Sequence, residues 1–322
     1  MINVNSYTAA DSLPVKLIKN YELLRSMREK KTIIPIHVQF IPTNQCNLNC
    51  TFCSCSEDDR KTEMSFDDAK RIIEKLHKLG TKSVTLTGGG EPLLYKHFQE
   101  LLTEFHSAGI KIGFVTNGLS LDQYSYEYVT WCRISNSDER VLNSEYYKIL
   151  NIAVEDNPDV DWAFSHVVSP YPDCAKIQRI IEFANLNNFT HVRLVADLLN
   201  YDKVDLSKVR ITLKTNYVDD SKVIYQSRNT PTRGGDCYIC YLKPMIGADC
   251  KVYCCCGSQY SLKKPSKSLP SELCLGSAFD IDKIIKNSHI PFNGYICHRC
   301  YYENYNKVLE AILTDTEHMD FV

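Results

Sequence analysis

No apolar run in this 322-residue chain reaches the roughly 18 residues that a membrane-spanning helix needs. The stretch from Met1 to Asp11 is polar and lacks the apolar core of a signal peptide. Neither sign of charge is in excess. Lys and Arg number 37 against 39 Asp and Glu, a formal net charge of −2, which disfavours a nucleic-acid coat and a polybasic membrane anchor. No Gly-x-Gly-x-x-Gly follows the first predicted strand, which lowers the case for a dinucleotide fold. What remains is an ordinary globular balance, 44% hydrophobic and 24% charged, long enough for one large domain or two modest ones.

Cysteine is the residue in surplus, with 15 in the chain, an odd number that cannot all pair within one molecule. Four fall between Cys46 and Cys55 and nine between Cys237 and Cys300; only Cys132 and Cys174 stand alone. A chain of this size does not need disulfide staples, so bunched Cys pairs beside sheet-like segments read as metal ligands in a reducing, cytoplasmic setting.

The hydrophobic periodicity sets out an α/β chain. Residues 12–31 read as one helix, and Ile34 to Ile41 as a strand closed by Pro42. Helices are then expected over 66–79, 95–108, 121–128, 144–156 and 173–187. They alternate with strands over 83–87, 111–115, 130–135, 162–168 and 191–195. Six strands joined through helices imply a parallel sheet with right-handed crossovers, either open or a partial barrel. After about residue 200 the rhythm breaks. Residues 208–214 and 222–226 read as a short hairpin, and the Cys-, Gly- and Tyr-rich stretch 231–300 as too irregular to pack without a metal centre. Residues 302–313 read as a last helix. The domain reading is 1–33 helical lead-in, 34–205 barrel, 206–230 hairpin and linker, and 231–322 metal-held region with the terminal helix.

The first cluster, Cys46-x3-Cys50-x2-Cys53, follows directly on the first strand. Three thiolates on a compact loop suit a [4Fe–4S] cube with one iron left open. Zinc would need a fourth ligand, for which Cys55 or His37 stands nearest in sequence. Together with Phe52, with Gly88-Gly89-Gly90-Glu91-Pro92 after the second strand and with Thr116-Asn117-Gly118 after the third, this spacing resembles the radical SAM superfamily over roughly residues 34–200.

The resemblance implies a partial (β/α)6 TIM-like barrel. It also implies S-adenosylmethionine on the open iron, with Gly89, Gly90 and Glu91 meeting its ammonium and Phe52 near its adenine. One electron from the cluster would cleave the cofactor to a 5′-deoxyadenosyl radical. Ser135 and Asn136 close the fourth strand, where relatives often touch the cofactor ribose, and Asn117 joins them as an expected cofactor contact. Asp197 reads either as a loop cap or as a group facing cofactor or substrate, His37 as a core or pocket histidine, and Cys55 and Cys132 as buried thiols.

The second cluster runs Cys237-x2-Cys240, Cys250, Cys254-Cys255-Cys256, Cys274 and Cys297-x2-Cys300. With Met245 to Gly257 it resembles the extensions called twitch and SPASM. The absence of cysteines after Cys300 favours the shorter twitch type, with one auxiliary [4Fe–4S] cluster on Cys240, Cys255, Cys297 and Cys300. Cys237 can replace Cys240, and Cys254 or Cys256 can replace Cys255. A second auxiliary cluster would draw on Cys237, Cys250, Cys256 and Cys274, and a zinc site with four cysteine ligands is the plainer alternative.

These resemblances imply an oxidoreductase that takes a hydrogen atom from its substrate and passes an electron to the auxiliary cluster. The substrate would be a ribosomal peptide or a small sugar- or aminocyclitol-like alcohol, and a flavodoxin or ferredoxin would donate electrons. A radical SAM methyltransferase, a nucleoside- or RNA-modifying enzyme and a non-catalytic zinc-stabilised binding protein are the competing readings. The catalytic base has no sequence signature.

Overall fold

The computed structural model describes residues 9–136, 144–227, 232–263 and 268–315. Helices α1 (Ala9–Lys19) and α2 (Tyr21–Lys30) lead into strand β1 (His37–Phe40). The single helix expected over 12–31 is thus broken. Asn20 turns its side-chain amide back onto the Lys16 carbonyl at 2.8 Å, the kind of local bond that competes with the helical ladder.

From β1 the chain alternates regularly. Helix α3 (Phe66–Leu79), strand β2 (Ser83–Leu86), helix α4 (Phe98–Ser107) and strands β3 (Lys111–Thr116) and β4 (Val129–Ser135) come first. Helix α5 (Ser144–Asp156), strand β5 (Asp161–Val168), helix α6 (Cys174–Leu186) and strand β6 (His191–Ala196) follow. Local chemistry explains the boundaries. Ser65 accepts the Asp68 N–H at 3.1 Å at the start of α3, and Gly80 ends it at φ 84, a left-handed cap that glycine takes without strain. The link expected as a helix over 121–128 holds only a 3-10 turn, Leu121–Gln123.

The expected hairpin is corrected. Helix α7 (Leu206–Thr215) carries the chain to strand β7 (Val223–Gln226), which pairs parallel with β6 as a seventh unit. Asp205 caps α7 by accepting from Ser207 N at 3.0 Å, and Leu206, Val209 and Leu213 bury its inner face. The β-branched Val209, Ile211, Thr212 and Thr215 made this segment read as strand; burial of one face outweighs their weak helix propensity.

The C-terminal part comprises β8 (Asp236–Cys237), α8 (Ile239–Leu242), β9 (Met245–Ile246), β10 (Lys251–Tyr253), β11 (Cys274–Ser277), α9 (Ile281–Lys286), β12 (Phe292–Asn293) and α10 (Glu303–Leu313). It is built into the barrel sheet. The order is β11-β10-β9-β1-β2-β3-β4-β5-β6-β7, with β9 parallel to β1.

One face of the barrel strands, Phe40, Leu86, Phe114, Ile134, Phe164 and Leu194 among them, packs under the helices as the main core. Alternation turns the other residues inward, and that face is polar: Gln39, Thr85, Arg133, Ser165 and Arg193. Cys132 lies in the core face at 0% exposure, where burial pushes its thiol well up, the inert thiol expected from its strand position.

Candidate functional site

Three loops meet where β1, β2 and β3 end. Glu91 joins two of them and is itself 4% exposed. Its Oε1 accepts from Leu93 N at 3.1 Å and from the Thr116 hydroxyl at 2.7 Å, and its Oε2 from Asn117 N at 2.6 Å. The cysteine loop is stitched to both neighbours. Gly90 N donates to Thr43 O at 3.0 Å and Glu91 N to Gln45 O at 2.7 Å, while Asn117 Nδ2 reaches Asn47 Oδ1 at 2.7 Å. Gly90 permits this approach because a Cβ there would overlap the Gln45 carbonyl. Asn117, expected at the cofactor, has its amide oxygen on Leu119 N at 3.0 Å as well, so its side chain is committed to holding the loops together.

Cys46, Cys50 and Cys53 are each partly exposed on the loop, with Cys53 N bonded to Cys50 O at 3.1 Å. Cys55 is buried beside them. The closeness of Cys53 and Cys55 pulls Cys53 down and, with burial, pushes Cys55 well up, and the Cys55 N–H points at Cys53 Sγ at 3.4 Å. Cys46 is raised by burial. His37 does not join them. It stands at the start of β1, with Nδ1 on Ser83 Oγ at 2.9 Å and Nε2 on Thr85 Oγ1 at 3.1 Å, and burial lowers its pKa well below the usual range.

Among the expected cofactor contacts, Phe52 is half-buried between Cys50 and Cys53, and Ser135 closes β4 opposite Ser165. Asn136 is 0% exposed, and neither end of its side-chain amide has a partner among the described residues; Asn44 Oδ1, beside Gly89, is also without one. Such orphaned buried groups are costly unless something polar meets them, and an amino acid joined to a nucleoside supplies donors and acceptors of that kind. Among the described residues no three Cys, His, Asp or Glu side chains already converge on one metal position, so Cys46, Cys50 and Cys53 share a loop and a ligand chemistry suited to a cluster without forming a closed ligand set.

Residues 40–134 match the radical SAM superfamily. This chain is similar to that superfamily over the stretch that holds the cysteine, glycine and Asn117 loops. Among curated relatives it is 37% identical over 86 residues to GTP 3′,8-cyclase of Synechocystis sp., a stretch that is 26% of each chain. It is 29% identical over 162 residues to 7-carboxy-7-deazaguanine synthase of Clostridium acetobutylicum, covering 48% of this chain and 69% of the relative. The match thus spans about a quarter of the first relative's length. The solved structure of Streptococcus suis SuiB bound to precursor peptide SuiA shares the fold at TM-score 0.59 and 16% identity, over 91% of this chain and 78% of SuiB. That likeness runs beyond the radical SAM match into the C-terminal region.

The later cysteines surround a small cleft lined by Cys237, Cys254, Cys255, Cys297 and Cys300, with Gly234, Gly257 and Gly294. Glycines are needed here because Gly234 and Gly294 bring two backbones together with no room for a Cβ. Cys240, expected as a ligand, is instead fully buried outside this lining. Its Sγ points at the Cys237 carbonyl at 3.2 Å, and its hydrogen bond to the Cys237 side chain lowers the Cys237 pKa. Burial pushes Cys255 well up and Cys297 up to about 12.

Cys250 occupies a left-handed turn position at φ 58 between β9 and β10, and Cys274 packs near Met245 and Tyr253. Cys256 Sγ lies 3.4 Å from Tyr302 Oη. These three do not line the cleft. Asp197, the other open assignment, accepts from Leu199 N and Asn200 Nδ2, both at 2.9 Å, and so caps its loop.

Sequence reading missed the contacts between the two cysteine regions. Gln259 Nε2 lies 2.9 Å from Cys55 Sγ, and Leu269 N donates to Asp58 Oδ1 at 3.3 Å. Partners more than 200 positions apart leave no local pattern. Asp58 Oδ2 has no partner among the described residues, and burial raises the carboxyl to about 6. Between pH 4 and 6 the folded chain therefore holds a proton that the unfolded chain has lost, so stability falls as pH rises through that window. Urea midpoints measured from pH 4 to pH 6 should fall by more in the native chain than in Asp58→Asn; parallel curves refute the assignment.

Proposed function

We propose that this chain is a radical SAM oxidoreductase with two [4Fe–4S] clusters. The first would sit on Cys46, Cys50 and Cys53, and one auxiliary cluster on Cys237, Cys255, Cys297 and Cys300. Cys237 replaces Cys240 in this set because it lines the cleft, whereas the Cys240 thiol is turned onto the Cys237 carbonyl. The observation that carries the reading is the Glu91 node, which clamps the cysteine, glycine and Asn117 loops into one surface at the strand ends, where barrels place their chemistry. When bound, the clusters and S-adenosylmethionine supply a 5′-deoxyadenosyl radical able to take a hydrogen atom and an auxiliary centre able to accept an electron.

The chain's own residues bind and orient. Gly89, Gly90 and Glu91 would receive the cofactor's ammonium, and Phe52 its adenine. Ser135 and Asn136 would receive its ribose. The aromatic side chains Tyr301 and Tyr302 at the second cleft would exclude water from the auxiliary cluster.

A peptide is the substrate we favour, because the fold shared with SuiB, which was solved with its precursor peptide, extends over the C-terminal region as well as the barrel. A flavodoxin or ferredoxin would supply electrons.

Elemental analysis of the anaerobically purified chain should return about eight irons, the content of two four-iron cubes, and no zinc. About four irons with one zinc would replace the auxiliary cluster by a structural site of four cysteine thiolates. Cys297→Ala with Cys300→Ala should keep the first cluster and S-adenosylmethionine cleavage but lose the oxidised product. Full product formation by a folded double variant would overturn the electron-accepting role.

A further inference from the structure

The glycine loop and the cysteine loop meet at Asn44. Its backbone is fixed from the far side: Asn44 N donates to Thr62 O and Met64 N to Pro42 O, both at 2.9 Å, and Thr43 forms an antiparallel bridge with Glu63. The carbonyls on either side of it, Thr43 O and Gln45 O, accept from Gly90 N and Glu91 N at 3.0 and 2.7 Å. The backbone here needs nothing from the Asn44 side chain. That side chain is nonetheless laid against the glycine turn. Gly89 stands at φ 59, and a Cβ there would overlap Asn44 Oδ1 and Ile41 Cγ2. One wall of the turn is thus apolar and the other is an amide oxygen. Asn44 Oδ1 is buried and has no hydrogen-bond partner among the described residues. The other acceptors of the junction are in use: Thr43 O and Gln45 O hold the glycine loop, and both Glu91 oxygens accept from Leu93, Thr116 and Asn117.

We propose that Asn44 is a further cofactor-binding residue, its Oδ1 receiving one N–H of the S-adenosylmethionine ammonium beside Gly89. The inference rests on the reading above that the loop from Gly89 to Glu91 receives that group, and it adds a side chain from the cysteine loop. Packing alone does not account for an amide here. An apolar side chain would meet Gly89 and Ile41 without leaving a buried oxygen unbonded, which is costly. An amide oxygen only accepts, so the partner it lacks is a donor, and an ammonium has three N–H bonds to place. Glu91 supplies the charge, and Asn44 supplies a neutral acceptor from the facing loop. Burial of Oδ1 is offset only when the donor arrives, so the bond favours a cofactor that carries the amino group over one that lacks it.

The test is equilibrium binding to the anaerobic holoenzyme, with its clusters kept oxidised so that nothing is cleaved. Two probes are compared: S-adenosylmethionine, and its analogue with hydrogen in place of the α-amino group. Iron is counted in every variant. Asn44→Ala should bind S-adenosylmethionine about tenfold more weakly, the worth of one hydrogen bond to a charged group. It should bind the analogue as the native chain does, with iron content unchanged. Asn44→Asp keeps an acceptor oxygen at the same place and should return the affinity for S-adenosylmethionine to the native level or above. Native affinity in Asn44→Ala would overturn the assignment. So would equal losses for the two probes, which would mean that Asn44 only holds the loops together. An Asn44→Asp variant as weak as Asn44→Ala, or loss of iron from both variants, would overturn it too. Failure of the underlying reading would show instead in the native chain, which would then bind both probes alike.

Discussion

Replacing Cys46, Cys50 and Cys53 together by Ala should remove about four irons per chain and abolish 5′-deoxyadenosine formation, while the barrel stays folded. The three side chains are only partly buried on a loop held by backbone and Asn117 bonds, so their removal leaves the core under the helices untouched. Far-UV circular dichroism should therefore match the native chain. The Cys55 N–H directed at Cys53 Sγ at 3.4 Å favours the thiolate, which is the form that binds iron. Retained cleavage of S-adenosylmethionine by the triple variant would refute the site.

The second large effect belongs to a residue with no chemistry of its own. Gly90→Ala places a methyl group on the Gln45 carbonyl and beside Asn44, so the glycine loop and the cysteine loop must part. The bonds from Gly90 N to Thr43 O and from Glu91 N to Gln45 O would then lengthen or break. Overpacking and two weakened hydrogen bonds together cost about 3 kcal/mol. Charged against cofactor binding, that is a loss of about a hundredfold in S-adenosylmethionine affinity. Glu91→Gln makes a useful contrast. It keeps the backbone clamp but sets an amide NH2 against Asn117 N–H, which now donates to Oε2 at 2.6 Å. It also removes the charge facing the ammonium, worth about 1.5–3 kcal/mol. Equilibrium binding should show both variants weakened, with Gly90→Ala also losing thermal stability. Native affinity in either would show that the loop does not receive the cofactor.

Much of the barrel was legible because its signals are local. Ser65, Gly80 and the apolar spacing of Ala69, Ile72 and Leu76 mark α3 within one stretch of chain. The strand β4, with Cys132 and Ile134 on one face and Arg133 between them, shows its alternation in the same way. Segment 206–226 misled because a β-branched run looks like strand until burial of Leu206, Val209 and Leu213 selects the helix. The candidate ligands divided along the same line. Cys46, Cys50 and Cys53 share one loop, so their grouping could be read from spacing, whereas of the neighbours Cys237 and Cys240 only the first lines the second cleft, the Cys240 sulfur lying against the Cys237 carbonyl.

The sequence by itself determined the repeating strand–helix order, the two cysteine regions and the three motifs at successive strand ends, since each depends on residues within a few positions of one another. Only the tertiary structure decided that β9, β10 and β11 extend the barrel sheet beside β1, and that Cys237 lines the second cleft while Cys240 is buried behind it. It also decided that Gln259 rests on Cys55 across 204 positions. Such choices follow from which surfaces exclude water together and which buried polar groups find partners, and both are settled by distant parts of the chain packing against each other.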